Sequence, residues 1–208
     1  MWETFGPYSS SSTALRPFGT SVVDGFDVDV EIPTNNYVAF VNRIRTLMDA
    51  DKSKKWFMTA APQCPFPDKN IGTLLNSSSF DAIFVQYYNN PSCDVRAFNP
   101  NSATQTGFNF KAWDTWAKNT SKNKAVKIFM SVVGGPAPTT SNESKDIYKG
   151  SAQLEPMIKY CKQFSSFGGV MVWDVSRAYS HASATFIPNV KAKLVAASLK
   201  VRSRLFRL

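Results

Sequence analysis

The chain reads as an α/β protein built on a parallel sheet. Two observations predict this. Strand-length apolar runs alternate with stretches of helical periodicity, and no small-period repeat interrupts them. One of the runs, Asp24-Gly25-Phe26-Asp27-Val28-Asp29-Val30-Glu31, alternates acid with valine, the period of a β-strand.

In chain order, residues 1–20 are rich in Ser, Pro and Gly and read as loop. A strand is expected over Val22–Val30. A helix follows over Tyr37–Ala50, with Val38, Val41, Ile44, Leu47 and Met48 on one face. Trp56–Ala61 is a strand, Ile71–Leu75 a short helical stretch and Ala82–Tyr88 a strand. Phe110–Lys122 is a helix, Lys127–Val133 a strand and Gly134–Gly150 a loop. Gln153–Phe164 is a helix, Gly169–Trp173 a strand and Pro188–Leu199 the last helix. This makes about five βα units, where a complete eight-unit barrel takes typically ~250 residues.

With 208 residues and 43% hydrophobic content the chain is long enough for one domain with a sizeable core. No apolar run reaches the ~18–20 residues of a membrane span. The opening Met1-Trp2-Glu3-Thr4-Phe5 lacks the basic-then-apolar pattern of a secretion leader. The net charge of +9 invites a nucleic-acid reading. Yet Lys191, Lys193, Lys200, Arg202, Arg204 and Arg207 all follow Pro188, where no acid occurs. Setting those 6 aside leaves +3, so the basicity belongs to a tail and reads as a solvated helix end. The expectation is one domain over residues 1–199, a basic tail over 200–208, and neither a nucleic-acid nor a membrane partner.

Asp27, Asp29 and Glu31 share one strand face, with side chains about 6–7 Å apart. Val22, Val23, Val28 and Val30 make the segment read as buried. Three buried carboxylates are costly unless they share protons or hydrogen bonds, and that cost points to catalysis. The other reading is an edge strand with solvated acids, or a cation site. Asp24 faces differently and reads as structural. His181 is the single histidine, so no metal cluster and no Ser-His-Asp arrangement can be composed. Gly134-Gly135-Pro136 lacks the lysine and helix start of a phosphate loop. No metal or other cofactor is expected.

The pattern D-G-F-D-x-D-x-E resembles the active-site signature of family 18 glycoside hydrolases, the chitinases. Three further stretches resemble strands and loops of the fungal and plant class III enzymes, in the same order: Thr59–Asp68, Val85–Cys93 and Phe167–Tyr179. The resemblance runs from about Trp2 to about Lys193. It implies a (β/α)8 TIM barrel of which the first three units are absent here, so the chain is expected to be a truncated or incompletely predicted gene product. A short protein that closes its sheet by self-association through open edges is the runner-up.

The resemblance also implies roles. Glu31 is the general acid and then the base. Asp29 hydrogen-bonds the substrate's N-acetyl group and shares a proton with a neighbouring carboxylate, Asp27 being its lower partner. Ordinary retaining glycosidases use a second carboxylate as nucleophile, whereas family 18 uses the substrate's own acetamide. The implied activity is hydrolysis of β-1,4-linked N-acetylglucosamine polymers, with chitin or chito-oligosaccharides as partners. Tyr88 is assigned to the reacting acetamide and Gln86 to the neighbouring sugar. Asn89 contacts substrate or simply makes the turn. Trp173 forms the apolar floor of the cleavage subsite.

Cys64 and Cys93 match a family disulfide, which implies an oxidising, extracellular or cell-wall setting. Cys161 reads as a free buried thiol. Sequons stand at Asn76, Asn119 and Asn142. The segment Pro136–Ser144 departs from the family's usual loop, which puts one cleft wall in question. A chitin-binding protein without hydrolytic activity, or an inactive fragment, is the alternative function.

Overall fold

The computed structural model describes residues 1–33, 35–136, 145–180 and 185–205. His181, Asn142 and most of the departing Pro136–Ser144 segment lie outside the described residues, as does the end of the basic tail. Helices are α1 (Trp2–Phe5), α2 (Tyr37–Ala50), α3 (Gly72–Ser77), α4 (Phe110–Asn119), α5 (Ser151–Cys161), α6 (Val175–Ser180) and α7 (Phe186–Leu205). Strands are β1 (Gly25–Val28), β2 (Phe57–Ala60), β3 (Ala82–Gln86), β4 (Lys127–Val133) and β5 (Phe167–Trp173).

The five strands form one parallel sheet in the order β1-β2-β3-β4-β5, each following the last across a helical connection. Parallel neighbours in sequence order are what consecutive right-handed βα units produce. The sheet does not close: β1 and β5 are its edges. This is an incomplete (β/α) barrel.

Strand β1 is shorter than Val22–Val30. Its N-terminal part leaves the sheet, and Val23 N–H donates to Phe5 O of α1 at 3.1 Å. Helix α1 stands where the sequence predicts loop, because four residues carry too little periodicity to mark a helix. Trp2 nevertheless anchors it, with ring centroids 4.9 Å from Trp56 and 6.5 Å from Phe26. Gly25 is required by close approach: a Cβ there would lie 1.9 Å from Phe57 O across the β1–β2 ladder. In β5 the register against β4 slips, Ile128 pairing with Phe167 but Phe129 with Gly169. Gly169 takes φ 146° there, and a Cβ on the intervening Gly168 would lie 2.5 Å from the Phe129 ring.

The core lies between the outer face of the sheet and the helices. From the sheet come Val28, Met58, Ala60, Ile83, Val85, Ile128, Met130 and Val132; from the helices come Val41, Ile44, Met48, Leu74, Leu75, Trp113, Leu154 and Ile158. An aromatic chain links β3 to α5, with Tyr87–Phe108 centroids at 4.6 Å and Phe108–Tyr160 at 6.2 Å. Cys161 is free and fully buried. Cys64 and Cys93 are disulfide-bonded with Cα atoms 5.9 Å apart, tying the loop after β2 to the loop after β3. Among the described residues no helix is long and apolar enough to cross a membrane.

Candidate active site

The acids sit where β1 runs out. Only Asp27 is within the ladder, paired with Thr59; Asp29 and Glu31 follow on the same extended run past Val28. The alternation holds, since Val28 is buried and Val30 packs on the core while Asp27, Asp29 and Glu31 turn the other way. The burial expected of these carboxylates is not found: all three are exposed. β1 is an edge strand, and Phe57, beside the acids on the same inner face, is also open to water at 41% exposure. Asp24, read as structural, is paired with Lys54 at 2.9 Å.

Gln86 organises the group. It is buried on the inner face of β3, and its side-chain Nε2 donates to Asp29 Oδ1 at 3.2 Å, Glu31 Oε1 at 3.1 Å and Ala61 O at 3.0 Å. Three acceptors around one NH2 fix the amide and hold two carboxylates at its edge. The Thr59 hydroxyl donates to Asp27 Oδ1. The Asp29 carboxyl is held above the usual carboxylate value, first by partial burial and then by the charges of Glu31 and Asp27.

Tyr88 continues the face of Gln86 and is only 7% exposed. Burial, followed by the Asp29 and Glu31 charges, pushes its hydroxyl well above the ordinary phenol value. It therefore stays protonated across the neutral range and is available as a donor. The ring packs with Val133, Ile147 and Tyr148. The described end of the Gly134–Gly150 loop thus supplies an apolar wall against Tyr88, through residues that carry no motif in the sequence. Asn89 takes φ 61°, a turn geometry that asparagine tolerates. Trp173 ends β5 on the same inner face, in register with Val133, and is 50% exposed. Among the described residues no three His, Cys, Asp or Glu side chains are grouped to hold a metal ion.

The family model of the glycosyl hydrolases family 18 matches residues 8–153. The chain belongs to that family. It is 46% identical to a class III chitinase of Arthroderma benhamiae over 203 residues, covering 97% of this chain and 59% of that protein. It is 42% identical to endochitinase 33 of Trichoderma harzianum over 181 residues, covering 87% of this chain and 54% of that protein. The chain thus spans little more than half the length of these relatives. A xylanase and α-amylase inhibitor protein from Scadoxus multiflorus superposes with a TM-score of 0.66 at 27% identity, covering 94% of this chain and 64% of that one. The ICChI chitinase from Ipomoea carnea shares the fold with a TM-score of 0.66 at 24% identity, covering 92% and 63%.

In this family-18 chain two further acids shape the site without touching it. Asp94 is fully buried and accepts from Asn90 N–H at 3.0 Å, Arg96 N–H at 3.0 Å and Arg96 Nη2 at 2.5 Å. It braces the loop that carries Asn89 and Cys93. Asp68 accepts from Gln63 N–H at 2.9 Å and Ile71 N–H at 2.7 Å, and so closes the loop after β2. Their signal in sequence was weak: an Asp two residues before an Arg, or three before a helix start, is a common turn motif.

Proposed function

We propose that the chain forms the acid-bearing part of a chitinase, which cleaves β-1,4 linkages between N-acetylglucosamine units with retention and substrate assistance. The observation that carries this reading is the Gln86 amide. It presents Asp29 and Glu31 side by side, with Tyr88 on the same face. Glu31 protonates the glycosidic oxygen. The acetamide carbonyl oxygen of the sugar in the cleavage subsite attacks its own anomeric carbon, and the leaving sugar departs. Asp29 holds the acetamide N–H, and the Tyr88 hydroxyl donates a hydrogen bond on the carbonyl side while keeping its proton. Glu31, now ionised, takes a proton from water, which opens the oxazolinium ion with retention. Gln86 and Asn89 line the neighbouring sugar, and the half-exposed Trp173 offers its face to the apolar side of the ring.

Catalysis in this reading needs the inner face covered, by copies of the chain associating through the β1 and β5 edges or by three further βα units. The disulfide supports an oxidising compartment, outside the cell or in its wall, as the protein's setting. A second reading is chito-oligosaccharide binding without hydrolysis. The exposure of the three acids favours it, since a general acid works best where water is excluded.

Hydrolysis of a fluorogenic N-acetylchitotrioside by the wild type and by Glu31→Gln separates the two. Turnover in the wild type that falls about 10²–10⁴-fold in the variant supports the enzyme. Saturable binding of the same sugar with no turnover in either supports the binder. Sedimentation run in parallel shows whether an active species is associated.

A further inference from the structure

We propose that Asn76 is an N-glycosylation site whose first sugar ring seats in a groove between α3 and α4, on the helix side and away from the acids. It goes beyond the proposed activity and shares with it only the oxidising-compartment assignment.

The sequon is Asn76-Ser77-Ser78, at the C-terminal end of α3. Asn76 is exposed, and its Oδ1 accepts from the Trp116 indole N–H at 2.8 Å. An indole nitrogen only donates, so the amide orientation is fixed and Nδ2 turns away from the indole. Attachment of a sugar to Nδ2 removes one N–H and leaves Oδ1 free to keep its bond to Trp116. The modification therefore costs the fold no hydrogen bond.

Beside Asn76 lies a cavity of about 200 Å³, bordered by Phe66, Pro67, Leu75, Trp116 and Thr120. A wider depression of about 500 Å³ continues from it, sharing Phe66, Trp116 and Thr120 and adding Gln105 and Asn109. Phe66 is 43% exposed here although it stacks edge-on against the buried Trp113 at 5.1 Å. An exposed aromatic face with amides and a hydroxyl at its rim is the chemistry that receives a pyranose: C–H groups on the ring, hydroxyls at the edges.

Ser78 completes the sequon. Its side chain is 1% exposed, and its Oγ is buried without a hydrogen-bond partner. The fold gives that hydroxyl no partner, as it gives none to the hydroxyls of Ser131 and Ser166, which lie outside any sequon. The sequon does use that of Ser78, on the nascent chain before Ser78 is covered. Asn119 provides the contrast. Its sequon hydroxyl, Ser121, donates to Asn123 O at 3.0 Å and accepts from Asn123 N–H at 3.2 Å, so the fold alone accounts for that serine.

The chemistry is a group transfer. Asn76 Nδ2 bonds to the anomeric carbon of a polyprenyl-diphosphate-linked oligosaccharide and loses a proton. The bond from that carbon to the diphosphate oxygen breaks, and the polyprenyl diphosphate leaves.

The test expresses the full chain behind a secretion leader in a eukaryotic host, with Ser78→Ala beside it. Alanine removes the sequon and keeps the Asn76–Trp116 bond. Enzymatic deglycosylation in ¹⁸O-water, followed by peptide mass mapping under denaturing conditions, reads occupancy even if the chain is retained in the cell. The expected result is an ¹⁸O-labelled aspartate at position 76 in the wild type and none in Ser78→Ala. Glycosylated wild type should melt about 2–4 °C above Ser78→Ala from the same host, a shift of the size that ~1 kcal/mol gives at this chain length. The two proteins made without glycosylation give the baseline to subtract, and there Ser78→Ala should melt no lower than the wild type because it loses an unpaired buried hydroxyl. An unmodified Asn76 overturns the site. A modified Asn76 with no difference in melting overturns the seating of the sugar in the groove.

Discussion

The two faces of the sheet are unlike. The outer face is dry and complete: Ile83, Val85, Ile128 and Met130 are fully buried against helices, and Trp113, Phe108 and Phe110 fill the layer behind them. The inner face is open: Phe57 is 41% exposed, Trp173 is 50% exposed, and the carboxylates of β1 face outward. Most of what stabilises this chain is therefore on the side that carries no chemistry. The groups of the proposed reaction stand on a surface held from behind, ordered by the hydrogen bonds of Gln86 and Thr59 and by the packing of Tyr88 on Val133, Ile147 and Tyr148. Fold and catalytic competence are separable here, and substitutions can be chosen to move one without the other.

The sharpest contrast is between two tryptophans. Trp113 is 0% exposed, and its indole N–H donates to Cys64 O at 3.2 Å. Trp113→Ala should cost about 3–5 kcal/mol, enough to unfold much of the population in denaturant titrations. Trp173→Ala should shift the midpoint little, because half of its surface is already in water, yet weaken chito-oligosaccharide binding. Equal destabilisation by both would mean that the inner face is covered in solution. That would point to self-association.

The loops that join the two faces come next. Cys64–Cys93 closes 29 residues, and replacing both cysteines with serine should lower stability by about 3–4 kcal/mol in the chain-entropy picture. Reduction of the wild type should reproduce the loss. A much smaller effect would mean that Asp68 and Asp94 already hold these loops, both of them buried and saturated with backbone N–H bonds.

Gln86→Leu tests the organisation of the acids. Leucine keeps the volume on the inner face but releases Asp29 and Glu31. Hydrolysis should fall by up to about 10²-fold through misplacement of the acid, with thermal stability changed far less than in Trp113→Ala. Loss of activity and fold together would argue that the amide is structural.

Asp29 gives a pH signature on the same face. Its carboxyl is raised in the folded state, so the folded protein binds that proton more tightly than the unfolded chain does. The group costs nothing below the unfolded value of 3.8, and stability is lost as pH rises through the raised folded value. Asp29→Asn removes the cost and leaves an oxygen to accept from Gln86. The variant should be the more stable at neutral pH and match the wild type under acid, as urea midpoints across pH would show.

These contrasts also mark what sequence could carry. The helix over Tyr37–Ala50 and the strand over Lys127–Val133 are found with the expected bounds, because long periodic runs determine both burial and conformation. The acids of β1 were legible as a motif and their side of the strand as a periodicity. Their exposure was not, because it depends on which strands lie across the sheet, and no local pattern records that. Gln86 illustrates the same limit. Its placement on the inner face follows from alternation, while its grip on Asp29 and Glu31 spans 57 and 55 residues and emerges only with the fold. Helix α1, of four residues, is too short for periodicity to be a signal.

The smallest expected effect lies on the outer surface, where α7 meets α5. Lys159 and Lys193 hold Glu155 at 2.6 and 2.5 Å, and hydrogen bonds from the two ammonium groups push its carboxyl down to about 2. A depressed carboxylate stabilises the fold above its unfolded value of 4.5, and the contribution disappears as pH falls through about 2. The group is open to water, so salt should screen it and Glu155→Gln should barely move the global midpoint. Its effect should be local: faster amide exchange in residues 186–196 of α7 at pH 7, with α4 and the sheet unaltered, and no difference between variant and wild type in high salt. If exchange accelerates across the sheet as well, α7 is part of the cooperative core, and the outer layer extends further than its buried residues indicate.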